Sequence, residues 1–594
     1  MISQLQAWPP GWLQPFDRAI LWSLVPLAII FLISGLDDLA VDFAWLWLRV
    51  RAKGVVAERP TAKDKRCIAI LVPLWHEHQV IARMIAHNLA AIRYPDFHIF
   101  AGAYPNDPDT QNAVQSVAAR FPNVHLAVCP HDGPTSKADC LNWIYQNIGL
   151  FEEQTGTRFD ILATHDAEDL IHPDELTWIN DYAETYDFIQ IPVLALQTPL
   201  RAITHGVYCD EFAENHTRDM IVRSRFGCFV PGAGVGTGYR RDALEKLAAS
   251  AENRIFEPVA LTEDYENGLR LHRLGCSQIF VPIGRPEAGG DYVVTREFFP
   301  QKWSAALRQR TRWVMGIALQ GWERIGWQGS IGDKYWFWRD RKSLIGSPLG
   351  VIANAIFCYG LGTAIWTRVS PLPSALAFAT LGLQVIRIGV RMACTARIYD
   401  MRFALGVPVR ILYANALNAA ATVNAIVKFA VAKLRGQPLR WLKTDHAYPT
   451  RAALLGQKRM LGEILVSSGR ISETALEAAL ESRAEGVRIG EHLLQAGLIS
   501  ENDLYTALSF QQGLIVVRLQ PQQIPATVAR ALPSNVARDW RVLPYRIADG
   551  AIYIAGPNLP SPQMHSALHG FTSLEIRFCL TTPSDYERAA RVFL

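Results

Sequence analysis

Phe159-Asp160-Ile161-Leu162-Ala163-Thr164-His165-Asp166-Ala167-Glu168-Asp169 carries the pattern from which the fold class can be read. Its first six residues read as a buried strand and its last five as an acidic tip. Short apolar runs of the same kind, Cys67–Pro73, His98–Ala103 and Val124–Val128, precede it, and helical patterns alternate with them to about Pro282. That alternation predicts an α/β sheet with helices on both faces. Ligands in such sheets bind outside the carboxyl ends of the strands, where the acidic tip lies. Residues i and i+2 of an extended strand end point the same way, so Asp166 and Glu168 can share one hard cation. A D-x-E by itself is more often an acidic turn capping the next helix. Lys137 and Asp139 upstream, and Thr262-Glu263-Asp264 downstream, shift the balance towards a metal.

At 594 residues the chain exceeds one ordinary core, so two or more globular units are expected. A slightly positive mean hydropathy and seventeen tryptophans point to a membrane protein, because Trp gathers at the water–lipid boundary. A net charge of +4 is small for this length and does not indicate a nucleic-acid binder. The nine cysteines form no C-x-x-C pair, which favours reduced, packed thiols over a zinc site or disulfide frame. Ala19–Leu36 reads as a retained span, and the Lys/Arg-rich stretch from Arg49 to Arg66 places the next segment in the cytoplasm by the positive-inside rule. Ser343–Thr367 and Val369–Ile386 read as two further spans. Ile411–Val427 carries Asn415, Asn418, Thr422 and Asn424 at roughly helical spacing, which favours a surface helix with its polar face towards water or protein. Arg296–Trp322, rich in Arg and Trp, reads as interfacial helices seated on the inner leaflet.

Two loops carry weaker signals. Asn106-Asp107-Pro108-Asp109 suits a nucleoside contact and plain turn chemistry equally. Gly232, Gly234, Gly236 and Gly238 lack a following Lys-Ser/Thr, so they read as a tight acceptor-side loop rather than a P-loop.

Val72-Pro73-Leu74-Trp75-His76-Glu77, Lys137-Ala138-Asp139, Asp166-Ala167-Glu168, Pro231-Gly232-Ala233-Gly234, Thr262-Glu263-Asp264 and Gln309-x-x-Arg312-Trp313 together resemble the successive motifs of family-2 glycosyltransferases. The resemblance implies a GT-A fold, a nucleotide-sugar donor, commonly a UDP-sugar, and a Mg2+ or Mn2+ ion on Asp166 and Glu168. It places Glu77 and Asp139 near the nucleoside and Lys137 near the phosphates, with Asp166 also at the donor. Asp264 becomes the general base, with Glu263 beside it, and Gln309, Arg312 and Trp313 shape the acceptor and diphosphate site. Glu168 replaces the more common second Asp, and His76 replaces an Asn often found before Glu77; neither change removes a ligand type.

After a linker at Arg440–Lys458 an internal repeat begins. Leu461-Gly462-Glu463-x-Leu465 with Gly469, Ile471-Ser472-Glu473, Leu476 and Leu480 recurs from Ile489-Gly490-Glu491 to Leu508, twenty-eight residues on. Each copy reads as helix, Gly stop, Ser N-cap and second helix. The repeat resembles the MshE N-terminal domain, a subset of which binds cyclic di-GMP through paired R-L-G…L…Q motifs. The resemblance implies ligand contacts from Arg459, Leu461, Gly462, Leu480 and Arg483 in copy one, and from Arg488, Ile489, Gly490, Leu508 and Gln511 in copy two. Copy one departs, with Met460 where Arg is expected and Arg483 where Gln is expected, so its half of the site is open.

These readings divide the chain into a membrane span and linker (1–66), a GT-A domain (67–295), interfacial helices (296–342), spans with a surface helix (343–440) and an MshE-type domain of α plus α/β structure (457–594). The whole resembles the bacteriophage-adsorption protein B group of bacterial inner-membrane glycosyltransferases. The expectation is a multi-pass enzyme with both soluble parts cytoplasmic, building a surface or secreted polysaccharide under allosteric activation by cyclic di-GMP. Its partners would be the donor, a glycan acceptor, the lipid bilayer and an outer-membrane export or phage-receptor protein, without nucleic acid. The alternative is a non-catalytic scaffold that recruits such a partner.

Overall fold

The structure, a computed structural model, describes residues 14–52, 61–284, 291–363, 371–436 and 460–594, apart from 468–469, 485, 513, 515, 549–550 and 573. The expected linker at 440–458 lies outside the described residues. The chain divides into two units, one of Met1–Ile81 with Asp96–Tyr448 and one of Ala82–Pro95 with Pro449–Leu594.

The first unit is organised by β1 (Ile68–Pro73), β2 (Phe97–Ala103), β3 (Val124–Val128), β4 (Ile161–Thr164), β5 (Phe188–Gln190), β6 (Val193–Ala195), β7 (Thr237–Arg240), β8 (Gln278–Phe280) and β9 (Thr295–Glu297). Seven of these form one sheet in the order β3-β2-β1-β4-β7-β5-β8, and β6 pairs with β9 in a separate ribbon. The expected strands are present, three of them starting one or two residues from the expected position. Ile68 to Val72 are all at most 1% exposed, which is why β1 reads as an unbroken apolar run rather than an alternating one. β1 pairs in parallel with both β2 and β4, so the strand order reverses around it and a crevice opens at the carboxyl ends. β7 runs antiparallel between β4 and β5, which makes the sheet mixed. Phe100, Phe159, Phe188, Tyr239 and Phe256 fill one apolar core.

Among the described residues, four helices are long and apolar enough to cross a membrane: Asp17–Arg51, Ile331–Gly360, Ser374–Ile398 and Val407–Leu434. The last was expected to lie at the surface because of its polar residues. Two of those residues meet protein, as a polar face towards water or protein allows: Asn418 Oδ1 accepts from Arg310 at 2.5 Å and Asn424 Nδ2 donates to Thr311 Oγ1 at 3.2 Å, while Arg410, just before the expected run, pairs with buried Asp210 at 2.6 Å. The argument that unpaired Asn disfavours a span therefore does not apply to Asn418 and Asn424. The Arg296–Trp322 segment also departs from a simple interfacial helix. Arg296 lies in β9, and Gln309, Arg310 and Thr311 are buried on the helix Trp303–Trp313.

In the second unit the repeat forms the helices Leu461–Ser467, Glu473–Ser482, Ile489–Gln495 and Glu501–Gln512. Both expected N-caps are made. Ser472 Oγ accepts from Ala475 N–H, and Ser500 Oγ accepts from Asp503 N–H while Asp503 Oδ2 accepts from Ser500 N–H at 3.1 Å. A Cβ on Gly490 would lie 2.6 Å from Leu504, and one on Gly462 2.8 Å from Leu476, the equivalent contact in the other copy. The glycines of the repeat thus let paired helices close on each other. A sheet of β10 (Leu543–Ala548), β11 (Ala551–Gly556) and β12 (Glu575–Leu580) completes the unit in that order.

Candidate active site at the sheet crevice

Four local structures deliver charged groups to the carboxyl end of the sheet. The helix Lys137–Thr155 starts at Ser136, whose Oγ accepts from Asp139 N–H, and its first residue extends into the crevice. The helix Glu263–Arg273 carries Glu263 and Asp264 in its first turn, where the helix dipole favours anions. The acidic tip follows β4, and the helix Trp303–Trp313 contributes its last turn. Together they enclose a cavity of about 450 Å³ that runs from Trp75, Glu77 and Tyr104, past Lys137, Asp166, Glu168, Glu263 and Asp264, to Gln309, Arg312 and Trp313.

Lys137 is the hub. Its Nζ lies 2.6 Å from Asp166 Oδ1 and donates to Gly234 O at 3.3 Å. Burial works against its charge, but Asp166, Glu263 and Asp264 outweigh it and raise the Lys137 pKa. Gly234, at φ +82°, is needed here: a Cβ would sit 2.8 Å from Asp264 Oδ2 and 3.2 Å from Lys137 Nζ. Burial, and then the neighbouring Asp264, push Glu263 up to about 7; burial likewise raises Asp264, against the pull of Lys137 and Arg312. Gln309 Oε1 and Arg312 Nε are buried without a hydrogen-bond partner among the described residues. Trp313 packs in an aromatic cluster with Tyr208, Phe212 and Phe299, ring centroids 6.0 to 6.4 Å away.

Three expectations change in detail. Asp166-Ala167-Glu168 is a turn rather than an extended strand end, closed by Asp169 Oδ2 accepting from Asp166 N–H at 2.9 Å, although both carboxylates line the cavity. Their oxygen donors suit a hard divalent cation, whose charge Lys137 partly matches on Asp166. Asp139 is not in the cavity wall; it accepts from Thr135 Oγ1 at 2.7 Å, and that hydroxyl meets Tyr104 Oη at 2.7 Å. Asp107 caps the helix Pro108–Ala118 and accepts from His76 N–H at 2.6 Å, so turn chemistry accounts for that loop. His76 has φ +53°, a region that Asn and His tolerate better than most residues, which explains how His stands where the motif usually has Asn.

Sequence reasoning missed several positions. The imidazole of His165 is fully buried between Asp169 and Glu175. Burial alone would lower it, but the two carboxylates hold it up to about 9. Directly after Trp313 the chain widens into a π-helix, Val314–Gln320, a feature frequent at functional sites. Gln320 Oε1 accepts from Leu261 N–H at 2.9 Å and its Nε2 donates to Val259 O at 2.8 Å, tying that turn to the loop before Asp264. His165 belongs to the acidic tip itself, but Glu175 and Gln320 carry no local signal.

Residues 65–316 match the glycosyltransferase like family 2, and residues 512–592 match the MshEN domain. Bacteriophage adsorption protein B of Escherichia coli strain K12 is 34% identical over 593 residues, covering 94% of this chain and 79% of its own. The chain belongs to the bacteriophage adsorption protein B family. Bacteriophage N4 adsorption protein B of E. coli O157:H7 matches to the same extent. The type IV pilus assembly ATPase PilB of Thermus thermophilus is 27% identical over 135 residues, 22% of this chain and 15% of that one. Among solved structures, a mannosyltransferase from Pyrobaculum calidifontis in complex with GDP-Man and Mn2+ aligns at 17% identity and a TM-score of 0.43, over 67% of this chain and 99% of that one. MshE with cdg aligns at 25% identity and 0.21, over 23% and 100%. This member of the adsorption protein B family therefore joins a family-2 glycosyltransferase domain, on a GT-A-like mixed sheet, to a C-terminal MshEN domain.

Among the expected MshEN ligand residues, Arg459 lies outside the described residues. Leu480, Arg483 and Arg488 are exposed, Ile489, Leu508 and Gln511 are half-buried, and Leu461, Gly462 and Gly490 are buried.

Proposed function

We propose that this chain transfers a sugar from a nucleotide donor, commonly a UDP-sugar, to a growing surface or secreted glycan at the bacterial inner membrane, with inversion at the anomeric carbon. The observation that carries the proposal is the meeting of Lys137, Asp166, Glu263 and Asp264 in one cavity that continues to Gln309, Arg312 and Trp313. Asp264 takes the proton from the acceptor hydroxyl, whose oxygen attacks the anomeric carbon as the bond to the diphosphate breaks. Lys137 and Arg312 hold the departing diphosphate, Arg through a fixed fork suited to two phosphate oxygens. A Mg2+ or Mn2+ ion on Asp166 and Glu168 would supply charge neutralisation of that leaving group. Glu77 and the Trp75–Tyr104 pair, ring centroids 5.4 Å apart, form the nucleoside end. Asp139 acts there from behind, through Thr135.

The soluble parts face the cytoplasm, where nucleotide sugars are made. The MshEN domain takes cyclic di-GMP as an activator, with copy two as the better-supplied half-site. A ligand activates only by binding the active arrangement better than the inactive one. Membranes carrying the full chain, given a panel of nucleotide sugars and Mn2+, should release nucleoside diphosphate faster with cyclic di-GMP than without. An Asp264→Asn chain that releases as much as the native one would sink the enzyme. The names of the Escherichia coli relatives favour a second reading, a scaffold for an outer-membrane export or phage-receptor partner; that same negative result, with a partner still captured, would support it.

A further inference from the structure

The metal loop is held from inside by a side-chain trio that does not line the cavity. His165 follows β4 directly and donates its N–H to Leu71 O at 3.0 Å, so its backbone still belongs to the sheet. Its Nδ1 lies 3.0 Å from Asp169 Oδ2 and its Nε2 lies 3.1 Å from Glu175 Oε1, all three side chains being 0% exposed. Asp169 Oδ2 also accepts from Asp166 N–H at 2.9 Å, so the atom that meets the imidazole also closes the Asp166–Asp169 turn. On the far side, Glu175 Oε2 accepts from Thr295 Oγ1 at 3.0 Å, anchoring the trio to β9. Backbone hydrogen bonds between Leu170 and Arg296, at 3.0 and 3.1 Å, fix the same two segments together. Two residues beyond Thr295, Glu297 lines the Trp313 end of the cavity.

We propose that His165, gripped by Asp169 and Glu175, is a positioning residue that sets Asp166 and Glu168 in their metal-binding arrangement and ties that arrangement to the acceptor wall through β9. Without the imidazole, two buried carboxylates would face each other across the gap it fills, and the turn would lose the partner that keeps Asp169 under Asp166 N–H. Outer partners that orient metal-binding groups typically account for ten- to a hundredfold in metal affinity. The proposal rests on the metal-dependent transferase reading, and its test separates the two.

The test uses the full chain in membranes or detergent, with His165→Gln, Glu175→Gln and the milder Thr295→Val. Two readouts are taken: the Mn2+ concentration giving half-maximal release of nucleoside diphosphate, and Mn2+ binding followed by the free-ion EPR signal with nucleoside diphosphate present. We expect His165→Gln and Glu175→Gln to raise both midpoints about tenfold or more, with most of the rate restored at saturating Mn2+, and Thr295→Val to raise them by a smaller factor. Midpoints within about twofold of the native chain, whatever happens to the maximal rate, would overturn the proposal and leave the trio a purely structural cluster. If the two larger variants do not fold, an unshifted Thr295→Val midpoint overturns it equally. A native chain that turns over donor with no metal dependence defeats the metal reading itself, and the proposal with it.

Discussion

Asp264, the proposed general base, is held at a helix N-terminus, its Oδ1 accepts from Tyr265 N–H at 2.8 Å, and its Oδ2 approaches Gly234 beside Lys137. Replacing it by Asn keeps the shape and removes the proton acceptor, so donor turnover should fall by about 10²- to 10⁴-fold with donor KM little changed. The same burial sets the pH dependence. A carboxylate base works only when deprotonated, and burial raises both Asp264 and Glu263, the latter to about 7. The rate should therefore begin to decline at a higher pH than for a solvated carboxylate, which titrates near 4. A profile of kcat/KM flat down to about pH 5 would show that neither carboxyl governs the step.

At the scale of elements, the two-copy helical repeat shows what its glycines do. Gly462 and Gly490 each face a Leu of the second helix in their own copy, so a methyl group at either position overpacks the pair. Gly490→Ala should destabilise the domain by about 1–3 kcal/mol, seen as a lower thermal midpoint. Combined with Leu504→Ala, the loss should be smaller than the sum of the two single losses, because one change makes room for the other. Strict additivity would mean that the two residues do not share the space. The π-helix after Trp313 has a matching role in the transferase domain, since its last residue, Gln320, clasps the backbone ahead of Thr262-Glu263-Asp264.

Across the first unit, ion clusters join the long apolar helices to one another and to the family-2 glycosyltransferase domain. Asp37 and Asp38, on the helix Gln14–Ala52, meet Arg339 and Lys342; Lys342 lies 2.7 and 3.1 Å from the two carboxylates, and Arg387 lies 3.0 Å from Asp38. A second cluster links Glu214 and Arg218 with Asp42 and Arg391. Removing one partner from a buried cluster leaves the others uncompensated, which costs about 3–5 kcal/mol. Asp38→Asn should accordingly lower the thermal midpoint of the detergent-solubilised chain. An unchanged midpoint would show that the cations are solvated at that level.

The alternating strands and helices, the acidic tip after β4, the apolar helices and the two-copy repeat with its Ser caps were all legible in the amino-acid order alone. Each is written in local periodicity or in neighbouring residues, so short-range sterics and burial suffice to read it. Three-dimensional packing was needed to establish that the tip is a turn braced by His165, that Asp139 stands behind Thr135, and that Asn418 and Asn424 have protein partners. Glu175 and Thr295 are 120 positions apart, and Arg310 and Asn418 are 108. Such pairings arise when packing brings distant polar groups into a space without water, where each must find a partner, and no local pattern records which one it will be.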